Sequence, residues 1–140
     1  MTASFVLNQR LKMVDISIEV NQLQLSSKQE ELERLKEVQK DLREVQSDFY
    51  DVEEGCSKPE FTSKNFDGEN AKTVAEIRED GVKTSIVSLA EEQIGGAMTD
   101  IGKKLRQIMS EISNIETNII SLESQQIELE QQKKEAMKDE

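Results

Sequence analysis

The residue types that most often carry catalysis are scarce in this sequence. Its 140 residues include no histidine, so the commonest general base and metal ligand is missing. The single cysteine, Cys56, has no histidine to activate it and cannot form an internal disulfide. The glycines match neither a phosphate-binding loop nor a dinucleotide fingerprint. We therefore expect no catalytic centre, no metal site and no cofactor.

Acidic residues dominate the charge of the chain. It has 18 Lys and Arg against 29 Asp and Glu, a formal net charge of −11 that would repel nucleic acid and anionic membranes. No window approaches the roughly 20 apolar residues of a membrane-spanning helix. The opening residues, MTASFVLNQRLKMVD, lack the basic start of a secretory signal. We expect a soluble, cytoplasmic protein that neither binds nucleic acid nor inserts into a membrane.

The aromatic residues gather in one short part of the chain. Four of the five lie between residues 49 and 66: Phe49, Tyr50, Phe61 and Phe66. Residues 53–66 also contain Gly55, Pro59 and polar turn formers without any periodicity, which predicts a loop. Aromatic side chains at a turn are typical either of a hydrophobic staple that closes the turn or of a recognition site for a partner.

The residues before this loop predict one long helix over about residues 5–52. Apolar residues recur mostly three or four apart, as one helix face requires: Leu7, Leu11, Val14, Ile18, Leu25, Leu32, Leu35, Val38, Leu42, Val45, Phe49 and Val52. Two positions of this row hold polar residues, Asn21 and Lys28. Each of them either faces solvent or fixes the register of a coiled coil. Two consecutive steps of three, from Leu32 to Leu35 to Val38, predict a local overwinding.

A second helix is predicted over about residues 67–136. Its apolar row is irregular at first, through Ala71, Val74, Ile77, Val82, Ile86 and Leu89. The row then alternates steps of four and three without a miss over nine residues: Ile94, Met98, Ile101, Leu105, Ile108, Ile112, Ile115, Ile119 and Leu122. Gly95 and Gly96 interrupt this helix, and we expect it to continue through them, with a break at that point as the alternative.

Two long helices joined by a short loop predict an all-α fold, a long antiparallel helical hairpin with coiled-coil character. We expect residues 1–140 to form a single domain, with the aromatic residues at the tip of the hairpin. The apolar surface of two helices is small compared with the entropy lost when so long a chain is ordered. The hairpin is therefore expected to be marginal alone and to need a partner's helices, or a second copy of itself.

The turn itself suggests a family. Phe66-Asp67-Gly68, followed by Ala71, lies where the first helix gives way to the second. This triplet resembles the Trp-X-Gly turn of the small helical-hairpin proteins of the ESX, or type VII, secretion pathway. The whole layout is similar to the YwqH-like family of small helical proteins that are encoded beside LXG toxins, with Phe66 in the position of the tryptophan.

The resemblance implies a non-enzymatic accessory or targeting factor, or a chaperone. Such a protein would bind the helical N-terminal LXG region of a toxin, together with a second small helical protein in some assemblies. It would act in the cytoplasm or be exported by a type VII route that needs no signal peptide. Tyr50 and Glu54 have the spacing of an ESX secretion signal but precede the turn, so we do not assign them that role. The alternative function is a self-associating cytoplasmic coiled-coil scaffold or a prefoldin-like chaperone.

Overall fold

The computed structural model describes residues 2–55 and 68–140, and helix is the regular structure throughout these two ranges. The first range forms one helix, α1 (Ala3–Gly55). The second range is helical from Gly68 to Asp139. The predicted all-α helical hairpin is therefore confirmed. Helix α1 extends to Gly55, so residues 53–55, which were predicted to begin the loop, are helical instead.

Helix α1 begins at a well-capped first turn. The hydroxyl of Thr2 accepts a hydrogen bond of 3.2 Å from the backbone N–H of Phe5, which is the usual contact of a helix N-cap. The carboxylate of Glu140 accepts bonds from the Ser4 N–H at 3.1 Å and from the Ser4 hydroxyl at 2.6 Å. No acidic residue of α1 lies in this turn, so Glu140 supplies the negative charge that a helix N-terminus favours.

The second helical region changes its pitch twice before it becomes regular. Helix α2 (Gly68–Glu76) leads into a π-helical segment (Ile77–Lys83), and helix α3 (Thr84–Ser88) leads into a second π-helical segment (Leu89–Ile94). Helix α4 (Gly95–Asp139) follows directly. The sequence did not predict the π-helical segments, although the irregular row of apolar residues lies in the same part of the chain. Two residues of that row, Ile77 and Val82, are exposed.

The two adjacent glycines do not break the helix. Gly95 has helical backbone angles, with φ of −60° and ψ of −40°. A Cβ atom built on Gly95 would lie 3.7 Å from the Ala90 carbonyl oxygen and 3.7 Å from the Gln46 Nε2 atom, which is ordinary contact. A Cβ atom on Gly96 would meet no atom of residues 2–55 or 68–140 within 4 Å. Neither glycine is therefore required by close packing against another helix.

The chain divides into two compact units, and each contains parts of both helical regions. Unit 1 comprises Met1–Arg34 and Leu105–Glu140, and unit 2 comprises Leu35–Lys104. Unit 1 contains most of the buried apolar side chains described: Leu11, Val14 and Ile18 of α1 with Leu105, Ile108 and Ile119 of α4. Among the described residues of unit 2, the buried apolar residue is Ala90. Of the described residues, unit 1 therefore contributes the larger buried core.

The buried face of α1 follows an unbroken heptad pattern. We call this row of buried and half-buried residues the α1 seam: Leu7, Leu11, Val14, Ile18, Asn21, Leu25, Lys28, Leu32, Leu35, Gln39, Leu42, Gln46 and Phe49. The steps alternate between four and three, so the two consecutive steps of three from Leu32 to Leu35 to Val38 do not describe the buried face. Gln39 takes the place expected for Val38, and Gln46 takes the place expected for Val45.

Candidate protein-binding surface

An apolar row flanks the α1 seam in unit 2. Val38, Val45 and Val52 lie seven residues apart and are 44%, 41% and 54% exposed. We call these three residues the valine flank. In two-stranded coiled coils the positions beside the seam usually carry charged side chains. Apolar residues there widen the apolar face, so that a further helix can be packed against it.

A hydrogen bond explains why a glutamine, rather than a valine, occupies the seam. The Gln46 Nε2 atom donates to the carbonyl oxygen of Ala90 at 2.7 Å. Ala90 is fully buried, and it belongs to the second π-helical segment. The same carbonyl also accepts the backbone N–H of Gly95, five residues further on. The Gln46 amide therefore lies at the contact between the helices, and Val45, one residue earlier, is left on the flank.

Tyr50 and Glu91 interact within unit 2. The pKa of the Tyr50 hydroxyl is raised above its ordinary value of 10.0, first by burial and then by the negative charges of Glu91 and Glu53. A hydrogen bond to Glu91 acts in the same direction. Tyr50 therefore stays neutral at physiological pH, and the residue is 38% exposed. It gives unit 2 an aromatic side chain in addition to the three valines.

The predicted turn motif lies partly outside the residues that the structure describes. Phe66 precedes the second described range. Gly68 is the first residue of α2, and Ala71 lies three residues later in the same helix. The proposed role of Phe66, Gly68 and Ala71 in binding a partner stays a prediction from the sequence.

The nine residues of the regular apolar row all lie on one face of the second helical region. Leu105, Ile108 and Ile119 are buried, and Ile108 is fully so. The other six are half-buried: Ile94, Met98, Ile101, Ile112, Ile115 and Leu122. Most of this row is thus only partly covered within the hairpin, which leaves apolar surface beside the contact.

Lys28, a polar position of the α1 seam, pairs with an acidic residue of α4. Its Nζ atom lies 2.7 Å from Glu111 Oε2 and 3.5 Å from Glu31 Oε2. The other carboxylate oxygen of Glu111 accepts a hydrogen bond of 3.0 Å from Gln107. The hydrogen bond to Glu111 is the main cause of the raised pKa of Lys28. Lys28 was expected either to face solvent or to fix the register of the two helices, and its ion pair with Glu111 favours the second role.

Asn21, the other polar seam position, makes a different contact. Its side-chain amide donates a bond of 2.8 Å to the carbonyl of Ser17, one turn earlier in the same helix. The residue is half-buried. Asn21 therefore satisfies its amide within α1, and this bond does not fix the pairing of the two helices.

The described residues form neither a cluster of potential metal ligands nor a membrane-spanning helix. Within residues 2–55 and 68–140, no three or more His, Cys, Asp or Glu side chains converge as a metal site. In the same two ranges, no helix is both long enough and apolar enough to cross a membrane.

Comparison with known proteins found no match among family models, curated proteins or solved structures. The resemblance to the YwqH-like family accordingly rests on the sequence motif and on the layout of the chain.

Proposed function

We propose that the protein is a non-enzymatic accessory factor that binds the helical N-terminal LXG region of a toxin for type VII secretion. The observation that carries this proposal is the valine flank. Val38, Val45 and Val52 present an apolar row beside the part of the α1 seam that contains Gln39 and Gln46. A helix laid along this row would cover the valines and the half-buried seam residues together.

The partner's chemistry follows from the shape and charge of this surface. A row with a seven-residue repeat fits an amphipathic helix, whose own apolar residues recur at the same spacing. The chain carries a net charge of −11, so a partner helix with basic residues beside its apolar face would associate faster than an acidic one. The helical LXG region is the partner implied by the resemblance to the YwqH-like proteins.

Co-purification with the LXG region of the toxin encoded nearest to this gene tests the proposal. The variant Val45→Glu places a charge on the valine flank, and the expected result is loss of the complex. Val82→Glu is the matched control, because Val82 is 45% exposed and also belongs to unit 2. The proposal is contradicted if Val45→Glu still forms the complex. It is also contradicted if both variants lose the complex equally while their melting temperatures are unchanged.

Phe66 provides a second arm of the same experiment. If Phe66 contacts the partner, Phe66→Ala weakens the complex by about 2 kcal/mol or more with little change in melting temperature. If Phe66 only closes the turn, stability falls by about 1 to 3 kcal/mol and accounts for the whole loss of binding. Gly68→Val is the companion variant, and we expect it to reduce stability in both cases because it perturbs the backbone of the turn.

A further inference from the structure

A second apolar row runs along the outer face of α1, opposite the seam. Met13, Ile16, Val20 and Leu23 recur at steps of three, four and three, and they are 69%, 60%, 46% and 73% exposed. Val6, seven residues before Met13, continues the row and is 38% exposed. We call these five residues the outer row. All of them belong to unit 1.

The outer row is not explained by the packing of unit 1. The seam residues Leu11, Val14 and Ile18 are buried on the other face of the same helix, so the hairpin contact leaves the outer row in solvent. The exposed apolar residues of α4 lie further apart, at steps of 11, 7 and 10 residues: Met109, Ile120, Ile127 and Met137. A contiguous apolar row on an otherwise charged surface marks an interaction site.

The charges around the outer row cancel. Between Thr2 and Ser27 the charged residues are two basic and two acidic ones: Arg10, Lys12, Asp15 and Glu19. The whole chain has a net charge of −11, so most of its surface repels a second copy of itself. The segment that bears the outer row lacks this repulsion. It is the part of α1 where two acidic copies can approach each other.

The outer row is complementary to itself when two copies run antiparallel. In that alignment Met13 faces Ile16 of the second copy, and Val6 faces Leu23 of the second copy. Val20 faces the aliphatic part of Gln9. The polar residues Thr2 and Ser27 face each other at both ends, so the apolar contact begins and ends at matching positions. Such a two-fold contact is the commonest symmetry of protein dimers.

The same alignment pairs opposite charges. In heptad terms Val6, Met13 and Val20 occupy a positions and Ile16 and Leu23 occupy d positions, so Lys12 and Glu19 are g residues, which flank the contact. In an antiparallel pair, g residues of one helix lie beside g residues of the other. This geometry places Lys12 beside Glu19 of the second copy, and the two-fold symmetry forms the pair twice. Both residues are exposed, and neither belongs to the ion pairs described within residues 2–55 and 68–140. A parallel alignment would place Lys12 beside Ser17 and would form no such pair.

We infer that two copies of the protein associate through the outer rows of α1, antiparallel and with reciprocal Lys12–Glu19 ion pairs. The contact spans about 26 Å of helix, at 1.5 Å per residue. So short a helix pair buries less area than a permanent interface, which makes the dimer reversible. The surface is separate from the valine flank, and this inference does not depend on the proposed function.

Sedimentation velocity over a dilution series of the purified chain tests the dimer. Wild-type protein is expected to shift from dimer to monomer as it is diluted through the micromolar range. Ile16→Glu places a charge in the centre of the outer row and weakens the dimer by about tenfold or more. Ile120→Glu is the matched control, since Ile120 is 66% exposed on α4 of the same unit, and it leaves the dimer unchanged. Thermal melting shows that each variant remains folded.

Charge reversal tests the alignment independently of the apolar contact. Lys12→Glu and Glu19→Lys each set like charges against one another twice, and each weakens the dimer by about tenfold. The double variant restores it, and an equimolar mixture of the two single variants associates as a heterodimer. If the wild-type chain is monomeric at every concentration, the inference is wrong, and the outer row would then be a binding surface for a different protein. Dimers that are unaffected by either reversal also overturn it, because association would then use another face.

Discussion

Lys28 and Glu111 form an ion pair of 2.7 Å between α1 and α4, at a position where the heptad pattern of α1 calls for an apolar residue. The two side chains are about equally exposed, at 32% and 33%. A charged pair at a seam position sets the register of two helices, because sliding either helix would separate the charges. Apolar residues alone discriminate less well between neighbouring registers.

The first prediction concerns this ion pair. Glu111→Leu removes the nearer of the two carboxylates that pair with the half-buried Lys28 and leaves Glu31 at 3.5 Å, so it is expected to lower the melting temperature. The double variant Lys28→Leu with Glu111→Leu replaces the pair by apolar contact and is expected to recover the melting temperature at least to that of the wild type. The melting temperatures of the single and double variants are measured by thermal unfolding, with circular dichroism as the signal. A double variant that is less stable than Glu111→Leu would show that the ion pair is not the relevant interaction.

The second prediction concerns the most deeply buried isoleucine. Ile108 is fully buried, whereas its neighbour Met109 is 56% exposed. Ile108→Ala is expected to cost about 2 to 4 kcal/mol, because it removes three carbon atoms and leaves a cavity. Met109→Ala should change stability by no more than about 0.5 kcal/mol. Urea unfolding of the two variants gives the comparison, and equal losses would place the core of unit 1 on a different face of α4.

The sequence predicted the hairpin because both helices carry long rows of apolar residues at helical spacing. It placed Val38, Val45 and Val52 in the seam because apolar residues are normally the ones buried, but all three are exposed. Continuity of the heptad and the bond from Gln46 to Ala90 instead favour the glutamines. That bond depends on the chain more than 40 residues away, so local spacing could not show it. The spacing of Val38, Val45 and Val52, each followed by a polar residue, was the available signal for the valine flank.

The third prediction tests the Gln46 contact. Gln46→Ala removes the donor to the Ala90 carbonyl and is expected to lower stability by about 0.5 to 1.5 kcal/mol. Val45→Ala alters the neighbouring, exposed side chain and should have a smaller effect. Urea unfolding distinguishes the two variants. The assignment of Gln46 to the seam is wrong if Val45→Ala lowers the free energy of unfolding more than Gln46→Ala does.

The fourth prediction concerns Gly95 and Gly96. Both lie within a helical stretch with room for a Cβ atom. Alanine has a higher helix propensity than glycine by about 1 kcal/mol, so Gly95→Ala and Gly96→Ala are each expected to raise stability by up to that amount. Thermal melting provides the test. Marked destabilisation by either variant would mean that the helix needs a break or a close contact at that glycine.

The fifth prediction is a pH dependence at the first turn of α1. Hydrogen bonds from Ser4 lower the pKa of Glu140 below its ordinary value of 4.5. A carboxylate with a lowered pKa stabilises the folded state above its ordinary pKa, and this contribution disappears as the pH falls through the folded-state pKa. Wild type is therefore expected to melt higher than Glu140→Gln at pH 7, and the difference should close in acid. Asp139→Asn serves as the neighbouring control. A difference that is the same at pH 7 and pH 3 would contradict this account.

Binding of a partner helix by the hairpin can be measured by thermal melting of the chain with increasing amounts of the LXG region. A partner that binds only the folded state raises the melting temperature progressively with its concentration. We predict a low melting temperature for the chain alone and a rise with the LXG region that Val45→Glu abolishes and Val82→Glu retains. A high melting temperature for the chain alone that the LXG region leaves unchanged would contradict binding of this partner.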